Sequence, residues 1–221
     1  MDKKQKSTGV IFDLDGTLWD SSYQVGIAWN DVIRRYGIDL ELTPERMSVM
    51  MGRTVPEIGE IVFPFVEPEK RKALLDDCCT EENRRLNLYG GDVFPCVIET
   101  IKELSEEYPL FIVSNCQDGY IESFLNYHNM HPYITDTECV GRTGLDKAGN
   151  IKLICKRNCL YRAVYIGDTA RDMRSAKEAG VPFIFASYGF GSAENTEYSI
   201  NSFGELPRLL GRIFGDNYCN E

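Results

Sequence analysis

In this 221-residue chain, three apolar runs break off into small polar or acidic residues, and that repeated pattern constrains the fold more than any other feature. Val10-Ile11-Phe12 stops at Asp13-Leu14-Asp15-Gly16-Thr17, Leu110-Phe111-Ile112-Val113 at Ser114-Asn115, and Ala163-Val164-Tyr165-Ile166 at Gly167-Asp168. A short run that is apolar throughout and closed by turn residues reads as a buried strand. Strands buried on both faces belong to parallel sheets covered by helices on each side. Helical patterns do separate these runs: about Pro95–Glu107 and Asp118–Tyr127 flank the second, about Ala148–Asn158 and Thr169–Ala179 the third, and Gly180 stops the last of them. Further strands are expected around Tyr133–Thr137, at Val181–Ala186 and near Tyr198–Ile200, with a final helix from about Phe203 to Phe214. The alternation predicts an α/β fold with a doubly wound, Rossmann-like parallel sheet.

The stretch after the first strand has a different texture. From about Ser22 to Arg35, residues Val25, Ile27, Ala28, Trp29, Val32 and Ile33 recur at helical spacing, and Gly37 follows as a stop. Thr43-Pro44-Glu45 reads as an N-cap with proline at the first helical position, opening a short helix to about Met51. Gly52-Arg53-Thr54 reads as a loop and Glu69–Leu86 as a charged helix. An all-helical stretch among strands predicts a smaller second domain over residues 20–87, inserted after the first strand. Residues 1–19 and 88–221 would form the α/β core.

Composition narrows the partners. With 24 Lys+Arg against 34 Asp+Glu the formal charge is −10, and the pI is near 4.8. Nucleic acid and anionic membranes need a basic footprint, so neither is expected as a partner. Small anionic substrates stay open, because local groups and bound cations set the field in a pocket. The densest apolar stretch, Ile61–Val66, already holds Pro64 and falls far short of the ~20 residues of a membrane span. The first residues carry charges and no apolar signal region, so the chain reads as cytoplasmic. The eight cysteines include no CxxC pair, and read as reduced, small apolar residues. His128 and His131 lack an evident third ligand nearby. No assembly motif stands out, and a monomer or weak homo-oligomer is expected.

Parallel sheets bind ligands outside the carboxyl ends of their strands, near helix N-termini. Asp13 with Asp15, Ser114 with Asn115, and Asp168 with Asp172 would meet there from distant parts of the chain. Each piece alone has a plainer reading: Asp-x-Asp-Gly as a surface turn, Ser-Asn as a helix cap, Gly-Asp as strand punctuation, Lys147 as a solvated lysine. Their order, and their common place after apolar strands, argue for a site. Gathered carboxylates repel unless a cation neutralises them. Mg²⁺ fits best, since it takes one or two carboxylates together with water and substrate phosphate. Ser114 and Lys147 add donors for an oxyanion.

At this point the sequence resembles the haloacid dehalogenase-like superfamily of phosphohydrolases over nearly its whole length. Phe12-Asp13-Leu14-Asp15-Gly16-Thr17-Leu18 is similar to its first motif, Val113-Ser114-Asn115 to the second, Lys147 to the third, and Gly167-Asp168-Thr169-Ala170-Arg171-Asp172 to the fourth. The insert resembles the helical cap of the phosphoglycolate phosphatase-like branch, and Met51-Gly52-Arg53-Thr54 a loop of that cap. The resemblance implies a Mg²⁺-dependent phosphatase of a small phosphorylated metabolite. Asp13 would be the nucleophile that becomes an aspartyl-phosphate, and Asp15 the general acid and base. Mg²⁺ would be bound by the Asp13 carboxylate, the Asp15 backbone carbonyl and Asp168, with Asp172 binding directly or through water. Ser114 and Lys147 would hold the phosphoryl group, Thr17 would order the first loop, Asn115 would orient that shell, and Arg53 would reach the substrate from the cap. The cap would move about hinges near Trp19–Ser21 and Leu88–Asp92. One departure stands out: many relatives carry Lys-Pro-x-Pro at the third motif, where this chain has Lys147-Ala148-Gly149-Asn150, and Lys152 is the alternative lysine. A phosphomutase sharing the aspartyl-phosphate is the enzymatic rival, and a non-catalytic phospho-receiver or regulatory module the other.

Overall fold

The computed structural model describes residues 7–215. In chain order the elements are β1 (Ser7–Phe12), β2 (Trp19–Asp20), α1 (Ser22–Arg35), α2 (Pro44–Ser48), α3 (Val55–Val62), α4 (Pro68–Tyr89), β3 (Asp92–Val93), α5 (Val97–Ser105), β4 (Leu110–Ser114), α6 (Tyr120–Tyr127), β5 (Asp136–Cys139), α7 (Val140–Thr143), α8 (Lys147–Arg157), β6 (Leu160–Gly167), α9 (Ala170–Ala179), β7 (Phe183–Ala186), β8 (Tyr198–Ile200) and α10 (Leu206–Gly215). Six strands form one sheet in the order β5-β4-β1-β6-β7-β8, all pairs parallel. β1 lies inside the sheet, with Phe12 opposite both Ile112 of β4 and Ile166 of β6. That register aligns the three strand ends, so the polar residues that follow them emerge side by side.

Period-two alternation sorts the strand side chains onto two faces. Val10, Phe12, Ile112 and Ile166 belong to one buried cluster with Val97, Ile101 and Leu210. Ile11, Phe111, Val113 and Tyr165 belong to the other, against Ile151 and Ile154 of α8 and Ala176 of α9. Each such side chain, fully withdrawn from water, contributes about 1.5–3 kcal/mol. The helical segment shares the first of these clusters: Val25, Ala28, Trp29, Val32 and Ile33 of α1 are buried at the spacing of one helix face, and Trp29 stacks on Phe63 with centroids 6.2 Å apart. At its root, β2 and β3 pair antiparallel, Trp19 opposite Val93 and Asp20 opposite Asp92.

Where boundaries differ from expectation, backbone chemistry explains most of the shifts. The strand expected from Val181 begins at Phe183, because Pro182 has no N–H to donate; its carbonyl accepts from Tyr165 N at 2.9 Å. The strand expected at Tyr133–Thr137 lies at Asp136–Cys139, where pairing with β4 sets Cys139 beside Ser114. The last helix opens as a 3₁₀ turn over Phe203–Glu205 before α10. The second short helix stops at Ser48 rather than Met51, and α3 occupies a stretch between the Gly52–Thr54 loop and Glu69 where no particular element was expected. Cys96 takes φ 66°, which delays α5 to Val97. No helix among the described residues is long and apolar enough to cross a membrane.

Candidate active site

Asp13 leaves β1 with its amide donating to Ile166 O at 2.8 Å, which continues the ladder one residue past the strand and fixes the carboxylate. Its Oδ2 accepts from Lys147 Nζ at 2.8 Å, while Oδ1 is buried with no partner. Lys147, the first residue of α8, also donates to Asp172 Oδ1 at 2.6 Å. All three side chains are withdrawn from water. Burial raises the Asp13 pKa well above the usual carboxylate range, with Asp172 and Asp168 adding repulsion and Lys147 opposing it. Burial works against the Lys147 charge too, but the Asp13 and Asp172 carboxylates outweigh it and hold its pKa above the ordinary value.

Asp168 follows β6. Its Oδ2 accepts from the amides of Phe190 and Gly191 at 2.9 and 3.2 Å, and Thr17 Oγ1 donates to Oδ1 at 3.4 Å. Burial, then Asp172, pushes its pKa to about 7. Gly16 holds φ +76° beneath it, and a Cβ there would sit 2.3 Å from Asp168 Oδ2, so neither the turn nor the close approach admits a side chain. Asp172 closes a capping box at the start of α9: Thr169 N donates to its Oδ2 at 3.0 Å and its own amide donates to Thr169 Oγ1 at 3.1 Å. One half of Asp172 thus caps the helix, leaving the other half for Lys147.

Ligand oxygens of Asp13, Asp168 and Asp172 lie within 4.8 Å of one another. Three carboxylates against one ammonium leave uncompensated negative charge in a buried space, and Asp13 Oδ1 is an orphaned acceptor within it. Such an all-oxygen donor set suits a hard divalent cation, so these residues fit Mg²⁺.

Asp15 has a different environment. Its Oδ1 accepts from Tyr120 Oη at 2.7 Å, Trp19 Nε1 at 2.9 Å and Ser21 Oγ at 3.2 Å. Burial raises its pKa, these three donors pull it back, and it settles at about 6. Ser114 is buried at the end of β4. Asn115 reaches across to the helical segment, Nδ2 donating to Gly52 O at 2.7 Å. Arg53 is half-buried and lines one small cavity with Asp15, Ser114 and Asn115. All nine candidate residues therefore gather at the strand ends or at the cavity beside them. Lys152 does not: five residues along α8 from Lys147, it is exposed and lines a separate cavity with Lys156, Tyr161 and Arg162. The missing Pro-x-Pro is replaced by an N-cap, Asp146 Oδ1 accepting from Gly149 N at 2.7 Å, which sets the start of α8.

A family model for haloacid dehalogenase-like hydrolases matches residues 10–186. The chain belongs to that family. Similar proteins include the phosphoglycolate phosphatase of Salmonella choleraesuis, 27% identical over 98% of both chains, and that of Vibrio parahaemolyticus, 24% identical over 91% of this chain and 95% of its own. Among solved structures, a haloacid dehalogenase-like hydrolase from Bacteroides fragilis matches with TM-score 0.78 and 23% identity, covering 91% of this chain and 100% of its own. A protein of the same family from Streptococcus pneumoniae matches with TM-score 0.77 and 21% identity, over 93% and 98%. The chain is accordingly a phosphatase of the haloacid dehalogenase-like family.

In this haloacid dehalogenase-like site the sequence reading missed the groups that hold the acids. Trp19 is buried, and its indole N–H donates to Asp15. Ser21 and Tyr120 had no signal beyond closeness to the first and second motifs. The amides of Phe190 and Gly191 carry no side-chain signature at all. Arg171, inside the fourth motif, pairs with Glu57 of α3 at 2.9 Å.

Proposed function

We propose that this phosphatase is Mg²⁺-dependent and hydrolyses a small phosphomonoester in two steps, with the phosphoryl group carried in between on Asp13. The observation that carries the reading is the asymmetry of the Asp13 carboxylate: Lys147 secures Oδ2, and Oδ1 is left buried and unpartnered. A desolvated oxygen with free lone pairs, held by its neighbour, is a positioned nucleophile.

In the first step an Asp13 oxygen bonds to phosphorus as the ester P–O bond breaks, and Asp15 gives its proton to the departing alkoxide. In the second, Asp15 takes a proton from water, the water oxygen bonds to phosphorus, and the bond to Asp13 breaks to release inorganic phosphate. A pKa of about 6 lets one carboxyl serve both turns near neutral pH. Ser114 and Lys147 hold phosphoryl oxygens, and Lys147 offsets the charge that would repel substrate from Asp13. Asp13, Asp168, Asp172 and the Asp15 backbone carbonyl would hold the cation, which when bound supplies charge neutralisation to the phosphoryl oxygens. Thr17 orders the first loop through Asp168. Residues 20–87 act as a cap on a core of 1–19 and 88–221, closing over the site and bringing Arg53 to the substrate, with Asn115 tying the loop at Gly52 in the closed form.

Phosphate release from phosphoglycolate, sugar phosphates, nucleotides, pyrophosphate and p-nitrophenyl phosphate, with Mg²⁺ or with EDTA, tests the reading. Mg²⁺-dependent release is expected, and Asp13→Asn should lower it about 10³-fold or more with the fold intact. Near-wild-type release by Asp13→Asn would overturn the nucleophile. Phosphoryl transfer to a second hydroxyl, without release, would establish the mutase instead.

A further inference from the structure

The acid–base position of Asp15 fixes where the leaving group lies, because the ester oxygen must reach that carboxyl. Asp15 lines the small cavity that it shares with Ser114 and Asn115 of the core and with Arg53 and Glu82 of the helical segment. Most of the remaining lining is apolar, including Val25, Met47 and Ile58. Glu82 is the acid that the helical segment contributes to this lining. It lies in the second half of α4, is 5% exposed, and belongs to none of the motifs.

Its surroundings define what it can do. Trp29 Nε1 donates to Oε2 at 2.5 Å and Gln117 Nε2 to Oε1 at 3.0 Å. A carboxylate offers about four acceptor sites, so each oxygen keeps capacity for another donor. No lysine, arginine or histidine pairs with it among the described residues. Burial, with a further push from the Asp15 charge, raises its pKa to about 7. A buried acid without a counter-charge costs free energy that a glutamine hydrogen-bonded to Trp29 would not. Arg53 faces the same cavity yet forms no ion pair with Glu82, so its charge remains for the substrate.

We propose that Glu82 sets leaving-group specificity: it selects phosphomonoesters whose alcohol carries a hydrogen-bond donor, a hydroxyl or an ammonium, and disfavours those presenting a carboxylate there. The proposal rests on the phosphatase reading with Asp15 as acid and base. A donor would complete the acceptor sites of Glu82, whereas a carboxylate would set a second negative group against the buried Glu82 carboxylate. Sites that hydrogen-bond one substrate group discriminate strongly against analogues lacking it, and like charges brought together in an enclosed site add to the rejection.

The test compares kcat/KM of the wild type and Glu82→Gln, with Mg²⁺, for three esters of matched length: 2-hydroxyethyl phosphate, O-phosphoethanolamine and phosphoglycolate. p-Nitrophenyl phosphate serves as the activity check. The wild type should favour a donor-bearing ester over phosphoglycolate by about tenfold or more, and Glu82→Gln should shrink that ratio about tenfold. A role confined to orienting Trp29 would scale all the esters alike, and that result overturns the proposal. So does a wild type that prefers phosphoglycolate, or one that hydrolyses p-nitrophenyl phosphate and neither donor-bearing ester. If Glu82→Gln fails to fold, the wild-type ranking still decides. Absence of release from every ester, p-nitrophenyl phosphate included, would instead overturn the phosphatase reading itself.

Discussion

The floor of the site and the cleft beneath the helical segment solve opposite problems. On the floor, each carboxylate is fixed by polar neighbours, some close by in the chain and some more than 100 residues away: Asp13 by Lys147, Asp168 by the Phe190 and Gly191 amides, Asp172 by its capping box, Asp15 by Tyr120, Trp19 and Ser21. In the cleft the ties are amides and an exposed ion pair: Asn115 to Gly52, Asn83 to Asp118, Arg171 to Glu57. Buried charge pairs with fixed geometry preorganise a reaction but cannot be opened cheaply. Exposed pairs are worth about 0–1 kcal/mol each, which suits a contact that, in the proposed capping role, forms and breaks with every turnover. The two regions differ in how much energy holds them, and that difference can be measured.

The largest effect should come from the floor. Lys147→Met removes the only cation among the described residues that contacts both Asp13 and Asp172. Breaking a buried pair by removing one partner costs about 3–5 kcal/mol. Denaturant unfolding in EDTA should show a loss of that size, together with loss of phosphate release. Arginine should not restore activity, because a planar fork cannot occupy the position of a point ammonium between two carboxylates. A Lys147→Met protein as stable as the wild type would show that the floor is not held by this pair, and the contrast with the cleft would collapse.

What could be read before the structure follows the same division. The floor was legible because its residues follow apolar strands, and a parallel sheet brings strand ends together whatever the sequence separation; Asp13, Ser114 and Asp168 were found that way. Lys147 follows no strand, and the family resemblance set it ahead of Lys152; the structure places Lys147, and not Lys152, against Asp13. Tyr120 was illegible: its hydroxyl reaches Asp15 across 105 residues with no periodicity to mark it. Glu82 was hidden for another reason. In a helix as charged as α4, one buried acid looks like its solvated neighbours, and only the facing Trp29 and Gln117 set it apart. The α3 helix carries little signal of its own: it is eight residues long, with Pro56 in its first turn and Gly59 at a place where a Cβ would meet Leu75 at 2.4 Å.

Glu82 sharpens the comparison, since it is a floor-like buried acid placed in the cleft. Its folded pKa of about 7 stands above the unfolded value of ~4.3. Between those values the native state binds more protons than the unfolded one, so Glu82's contribution to stability falls as pH rises through about 7. Glutamine does not titrate. The Tm of Glu82→Gln relative to the wild type should therefore climb by a few degrees between pH 5 and pH 8. Asp15, Cys78, Cys79 and Tyr120 also act electrostatically around this group. The two thiols and the phenol are pushed upward and stay neutral over this range, so the difference reports Glu82 together with its coupling to Asp15. A Tm difference independent of pH would mean that Glu82 is ionised throughout and that its charge is compensated.

The smallest effect belongs to the latch. Glu57 accepts from Arg171 through both oxygens at 3.0 and 2.9 Å, and it also closes the capping box of α3 by accepting from Thr54 N at 2.9 Å. The hydrogen bonds from Arg171 lead in lowering its pKa to about 2. The carboxylate therefore stays charged at working pH, and the stability it contributes is lost only as pH falls from about 4.3 towards 2. Glu57→Gln keeps an acceptor for Thr54 and removes only the charge that meets Arg171. Both partners are 39% exposed, so the loss of global stability should stay below about 1 kcal/mol. The closed arrangement should weaken instead: KM rising a few-fold with kcat within about twofold, and the wild type drifting to the variant's KM as salt is raised. A drop in kcat with KM unchanged would place Arg171 in the chemistry rather than in the latch, and the line between floor and cleft would then run through α3.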